Sequence, residues 1–454
     1  MTGEEIREAN TPYGDHVSRA GARVHTTLAS PRACGSQGQA GFFFFHFIRV
    51  RRFRIGPGAL VAAAFIGPGT VTTCTLAGVR SGTALLWALV FATVGTMVLQ
   101  EMAARLGTIT GLGLGDALRR RVSSPVARLG VLALVVFAIG GGNAAYQTGN
   151  LLGAALGLDI AFAGGTQPWA LGVAAIAALL LFTGRYRVIE RVLVAMVIGM
   201  SLLFVITALA VSPSWSVIMS DLLQPRLPSG SALIALGLVG TTIVPYNLFL
   251  HASAAAERFT EGTPHERLRD ARLDLFVAIG LGGLVSMAIV ITAAAAGAQG
   301  ATVESASGMA AQLSPLLGRW ATIVFALGLF AAGMTSAITA PMAAAWAVAG
   351  AMGWPRDLRD NRLRAVWGSI IAIGVIITLS GVQPLPAILA AQAANGLLLP
   401  IVAAFLVFVM NDRGLLGEST NGVRANLAGS LVVAITLALG SRALWSVVSR
   451  LFGP

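Results

Sequence analysis

The sequence predicts an all-α protein that crosses a membrane about eleven times. Composition is the first reason: 56% of the 454 residues are hydrophobic and only 11% are charged, too little charge to cover a soluble protein of this size. Second, apolar runs of about 20 residues recur along nearly the whole chain, the length a helix needs to span hydrocarbon. Third, the cations fall in the short connections between those runs. The formal charge of +12 comes from arginine and no lysine, and the arginines form no stripe of the kind that grips phosphates. The expected partner is the lipid bilayer, not a nucleic acid.

In chain order, residues 1–54 read as a disordered, cytoplasmic N-terminal tail ending in the aromatic run GFFFFHF. It lacks the basic start, apolar core and small-residue cleavage site of a secretory signal. Five spans follow in 55–211 (55–79, 83–104, 129–157, 166–184, 190–211). Five more lie in 230–409 (230–256, 273–297, 320–350, 365–382, 385–409), and an additional helix at 425–448 makes the eleventh. A cytoplasmic N-terminus places 26 of the 31 arginines on the cytoplasmic side, leaving Arg80, Arg226, Arg319, Arg442 and Arg450 outside. That asymmetry obeys the positive-inside rule and predicts an integral protein of a plasma or bacterial inner membrane.

Two spans are interrupted. FIGPGTVTTC (65–74) puts Gly67-Pro68-Gly69 near the middle of span 1, and GTTIVPYNLFLH (240–251) puts Val244-Pro245-Tyr246-Asn247 near the middle of span 6. One proline is an ordinary kink. Two breaks at corresponding places predict two five-helix repeats, and an odd number of spans in each makes the repeats inverted. Secondary transporters with inverted repeats build their solute site from such broken helices at the bilayer midplane.

The residues around the breaks resemble the Nramp family of divalent-metal transporters. The resemblance runs over about 55–410: GPGALVAAAFIGPGT, QEMAARLGTITGLG, VPYNLFLHASA, GMTSAITAPMAAA and AQAANGLLLP. It implies the LeuT-like fold and a metal ion as substrate. The departures fall on the metal site that the family carries. Where the family has Asp-Pro-Gly-Asn in span 1, this chain has Gly67 and Thr70 at the Asp and Asn positions. Where it has Met-Pro-His in span 6, this chain has Val244 and Tyr246. At the family's acidic span-3 positions stand Gln147 and Asn150. His251 and Gln392 are carried over.

A transition-metal site favours an anionic oxygen with nitrogen or sulfur donors; these substitutions remove all three at once. Neutral polar residues remain: Thr70, Thr72 and Thr73; Thr241 and Thr242; Tyr246 and Asn247; Thr335, Ser336 and Thr339; Gln392 and Asn395. Asn143, Tyr146, Gln147 and Asn150 share one helical face, as a pathway lining or as interhelical hydrogen bonding. The expected substrate-binding set is Gly67, Thr70, Thr241, Val244, Tyr246, Asn247 and Gln392. The expected pathway or coupling set is Asn143, Gln147, Asn150 and His251. No cofactor is implied. The glycine run 140–143 lies in an apolar span and is no nucleotide loop, Cys34 and Cys74 cannot build a thiolate site, and no catalytic constellation appears, so an enzyme is not expected.

The function expected is transport of a small solute by alternating access, with a metal ion as the family-level substrate and a remodelled, uncharged site unsuited to Mn2+ or Fe2+ in the family's usual manner. A small anion or neutral polar solute on the same fold is the alternative. A channel or non-transporting sensor is the reading from another class. The residues decide neither the solute nor the oligomeric state.

Overall fold

Proline and glycine set where the helices of this chain start and stop. The computed structural model describes residues 66–452 apart from 123, 184–186, 302, 304 and 305. The expected tail 1–54, and residues 55–65 of the first span, lie outside the described residues.

The helices in order are α1 (Pro68–Ser81), α2 (Leu86–Thr110), α3 (Leu114–Arg121), α4 (Pro125–Val135), α5 (Gly142–Phe162), α6 (Thr166–Thr183), α7 (Arg187–Ala210), α8 (Trp215–Leu223), α9 (Ala232–Thr242) and α10 (Pro245–Arg258). There follow α11 (Pro264–Ala298), α12 (Ala306–Ala310), α13 (Ser314–Leu317), α14 (Ala321–Met352), α15 (Asn361–Leu379), α16 (Pro384–Met410), α17 (Arg413–Leu416) and α18 (Val423–Phe452). Among the described residues there is no strand. Nine segments there are long and apolar enough to cross a membrane, with α9 and α10 counted together as one. The other two expected spans are the first, described from residue 66, and the third, built from α4, a π-helical stretch Val136–Gly141 and α5.

Local chemistry explains several boundaries. Thr263 accepts from the Glu266 N–H while Glu266 returns a bond to the Thr263 N–H, a capping box followed by Pro264 at the first helical position. α11 therefore starts at Pro264, not at the expected 273: its charged first turns precede the apolar run but belong to the same helix. Gly111 and Gly353 end α2 and α14 in the left-handed region, at φ 67° and 74°, where a Cβ would be strained.

Small residues let the helices approach closely, as in membrane bundles generally. α5 packs along α14, α1 along α11, α9 along α16, and α10 along α2. A methyl group on Gly157 would strike the α14 backbone at Ala326 and Phe330, and one on Gly333 would strike Ala154. Large apolar side chains such as Leu202, Leu209, Leu427 and Leu431 face outward, as expected of a surface meant for lipid.

Candidate functional site

Both breaks are visible in the backbone. Gly67 is extended (φ −100°, ψ −177°), and α1 begins at Pro68, mid-way through the expected first span. In span 6, α9 ends at Thr242, Ile243 and Val244 leave helical geometry (ψ 76° and 122°), and Pro245 opens α10. The second break thus sits at Ile243–Val244, slightly ahead of the expected Val244–Tyr246. Proline at the first helical position has no N–H to strand, so Tyr246 and Asn247 fall in the first turn of α10.

The breaks meet. Thr70 Oγ1 and Thr241 Oγ1, 171 residues apart in sequence, share a buried hydrogen bond of 2.8 Å. The Tyr146 ring of α5 stands edge-on to Tyr246 with centroids 5.6 Å apart. Gly67 has no side chain because α14 and α5 occupy the space: a Cβ there would lie 2.8 Å from Ser336 Oγ and 3.6 Å from the Tyr146 hydroxyl. Gly69 is likewise filled by the Gln392 amide of α16, whose Oε1 would be 3.0 Å from a Cβ. Five spans, the first, third, sixth, eighth and tenth, therefore converge on the two breaks.

Every side chain in this group is neutral. Val244 is apolar and buried. Among the described residues no cluster of three or more His, Cys, Asp or Glu could hold a metal ion. Several buried polar atoms lack a partner within the described protein: Asn247 Nδ2 and Oδ1, Thr73 Oγ1, Ser336 Oγ, Thr339 Oγ1, Gln392 Oε1 and Asn395 Nδ2. Each such group costs about 1–3 kcal/mol; among them Ser336 Oγ lies beside Gly67, the Gln392 amide lies beside Gly69, and Asn247 is in the first turn of α10.

The span-3 stripe is buried and mostly engaged. Gln147 Nε2 donates to the Ala337 carbonyl of α14 (3.0 Å), Asn150 Nδ2 donates to Gln147 Oε1 (3.4 Å), and Asn143 Nδ2 donates back to Ile139 (2.7 Å). His251, one turn along α10 from Asn247, is engaged by another helix: its Nδ1 donates to Gln100 Oε1 of α2 at 2.7 Å. Gln100 was missed in the sequence, although an amide inside the apolar span 83–104 was the available signal. Ser336 and Tyr146 were noticed only as members of polar clusters; their place beside Gly67 is set by packing between spans far apart in sequence.

Comparison with known proteins gives this arrangement a family. Residues 58–446 match the family described as natural resistance-associated macrophage protein-like. A divalent metal cation transporter of Verminephrobacter eiseniae is 33% identical over 403 residues, covering 85% of this chain and 87% of its own. The manganese transporter of Eremococcus coleocola, solved with an aromatic bis-isothiourea compound, superimposes with TM-score 0.68 at 24% identity over 88% of this chain and 87% of that one. A nucleobase-cation-symport-1 family transporter shares the fold more distantly, with TM-score 0.56 at 16% identity over 87% of this chain and 93% of that one. With its broken helices opposed across a buried polar centre, this integral membrane chain belongs to the natural resistance-associated macrophage protein-like (Nramp) family of transporters.

Proposed function

We propose that this protein is a secondary transporter that moves a small solute by alternating access, with a metal ion as the family-level substrate and a central site remodelled to be uncharged. The observation that carries the reading is the meeting of the two breaks around buried, partnerless amides and hydroxyls. Backbone groups freed at a break need polar partners in hydrocarbon, and a solute entering with water supplies them. Gly67, Thr70, Thr241, Val244, Tyr246, Asn247 and Gln392 are the proposed contacts; Asn143, Gln147, Asn150 and His251 line or brace the pathway. The two five-helix repeats occupy 55–211 and 230–409, and the arginine distribution supports a cytoplasmic N-terminus in a plasma or bacterial inner membrane.

The Verminephrobacter eiseniae relative is a divalent metal cation transporter and the Eremococcus coleocola protein a manganese transporter, so a cation retaining much of its water is the first substrate to test. Stripping Mn2+ or Fe2+ onto neutral oxygens alone loses hydration without an anionic return. A second reading has its own observation: neither α1 nor α10 has a side-chain cap at its N-terminus. The helix dipoles there favour an anion, and the side chains around the two breaks are neutral.

The experiment is a proteoliposome uptake panel with Mn2+, Mg2+, small anions and small neutral solutes, with and without a pH gradient. The expected result is uptake of a solute other than dehydrated Mn2+, with little response to a pH gradient, because Gln147 and Asn150 cannot titrate. Calorimetric Mn2+ binding at tens of micromolar that is lost on Thr70→Ala would overturn the uncharged-site reading. Failure of every solute to move would overturn transport itself.

A further inference from the structure

Gln312 lies in the 3-10 turn Ala311–Leu313, between α12 and α13, in the connection from α11 to α14. A glutamine in such a connection ordinarily faces water. This one is 1% exposed, and Met309, Ala310 and Leu313 beside it are fully buried. Its amide is almost completely used. Nε2 donates to Thr75 Oγ1 and to the Met309 carbonyl, both at 2.8 Å, and Oε1 accepts from Thr292 Oγ1 at 3.1 Å.

Thr75 belongs to α1 and Thr292 to α11, so one side chain ties the connection to two helices. Those two helices already touch backbone to backbone. A methyl on Gly78 would press on the α11 main chain at Val290 and Ala294, and one on Gly297 would sit 3.0 Å from Val79 Cα. Gln312 joins this close-packed pair to the turn beside it. Thr75 is just over one turn beyond Thr70, whose hydroxyl closes the central site against Thr241. Whatever holds Thr75 therefore holds the tilt of the half-helix that forms one wall of the site.

We infer that Gln312 is a positioning residue for alternating access: it bolts the half-helix Pro68–Ser81 to the connection between α11 and α14, and its bonds must release for the central site to open toward that face of the membrane. The inference rests on the transporter reading above. Its physical basis is the cost of an unpaired amide away from water. While the turn is seated the three bonds favour closure; water entering on opening replaces them.

The test uses the full chain in proteoliposomes with Cys34→Ser, Cys74→Ala and Ser336→Cys. The reporter at 336 sits on α14 beside Gly67 and is none of the groups that Gln312 bonds. A membrane-impermeant methanethiosulfonate is applied from each side in turn. Thr75→Val, which removes one of the three bonds, is expected to speed labelling about fivefold from one side only, the ratio that a lost hydrogen bond of ~1 kcal/mol produces, and Gln312→Leu, which removes all three, at least as much from the same side. Adding Thr75→Val to Gln312→Leu should change little, since the bond they share is already gone, and Thr75→Ser should restore the parent rate. Unchanged labelling in the near-isosteric Thr75→Val, or an equal rise from both sides, would overturn the assignment. Labelling needs no solute, so a one-sided rise without any uptake would leave the bolt standing and remove the transporter reading.

Discussion

The centre of this molecule and one end of its bundle handle polarity in opposite ways. At that end the polar groups are charged and paired. Glu101 binds Arg272 at 2.7 Å and Arg105 at 3.2 Å, Arg121 reaches Asp412 at 3.2 Å, and Asp116 pairs with Arg356. Arg105 also donates to the Ser419 carbonyl (3.0 Å) and to Asn421 Oδ1 (2.6 Å). These contacts fasten α3 to the ends of α14 and α16, and α2 to α11. At the centre the polar groups are neutral and several are unpaired. Ions near a helix end keep some water, so their desolvation is modest; the same ions mid-membrane would be costly. The contrast sets charged, paired groups at one end against neutral polar groups, several of them unpaired, at the centre.

The comparison can be broken by substitution, taking the largest effect first. Gly240 in α9 lies against the Gln392 carbonyl and Gly396 backbone of α16, so Gly240→Ala has no flexible neighbour to displace. It should cost about 3 kcal/mol and lower the thermal unfolding midpoint in detergent more than any change at the charged end. Asp116→Ala should follow at about 2 kcal/mol. It strands a largely buried guanidinium at Arg356 and removes the carboxylate that accepts from the Gly113 N–H at 3.2 Å.

A smaller effect is expected from Thr241→Val, which keeps shape but deletes the hydrogen bond between the breaks. A loss of about 1 kcal/mol should appear in unfolding, together with a changed solute affinity in the uptake assay. Stability lost with affinity untouched would mean that the bond is only structural. Smallest of all is Arg121→Gln. The Arg121 side chain is 39% exposed, so its pair with Asp412 should be worth about 0.5 kcal/mol at low salt and less at high salt. A salt-independent loss would show that its packing over Phe408, 5.1 Å from the ring centroid, matters more than its charge.

Much of the architecture was legible because hydrocarbon imposes simple rules. Length and apolarity marked the spans, and proline at 68 and 245 marked where two helices restart. Third-span polarity was legible too: Asn143, Gln147 and Asn150 had to face inward, and all three are buried. Their use was not legible. Gln147 bonds a main-chain carbonyl of α14, and backbone acceptors leave no mark on sequence. His251 was expected one turn from Asn247, but its partner Gln100 depends on how α10 packs on α2.

The sequence by itself therefore determined the helical membrane class, the place of both breaks to within a residue or two, and the neutral chemistry of the residues around them. These follow from local causes: apolar length, the missing proline N–H, and side-chain type. Only the tertiary structure decided that Thr70 meets Thr241, that Gly67 makes room for Ser336, that Gly69 makes room for Gln392, and that Gln312 reaches Thr75. Each joins helices remote along the chain. Close approach between helices depends on which small residues come to face one another, and that registry is a property of the packed bundle rather than of any one segment.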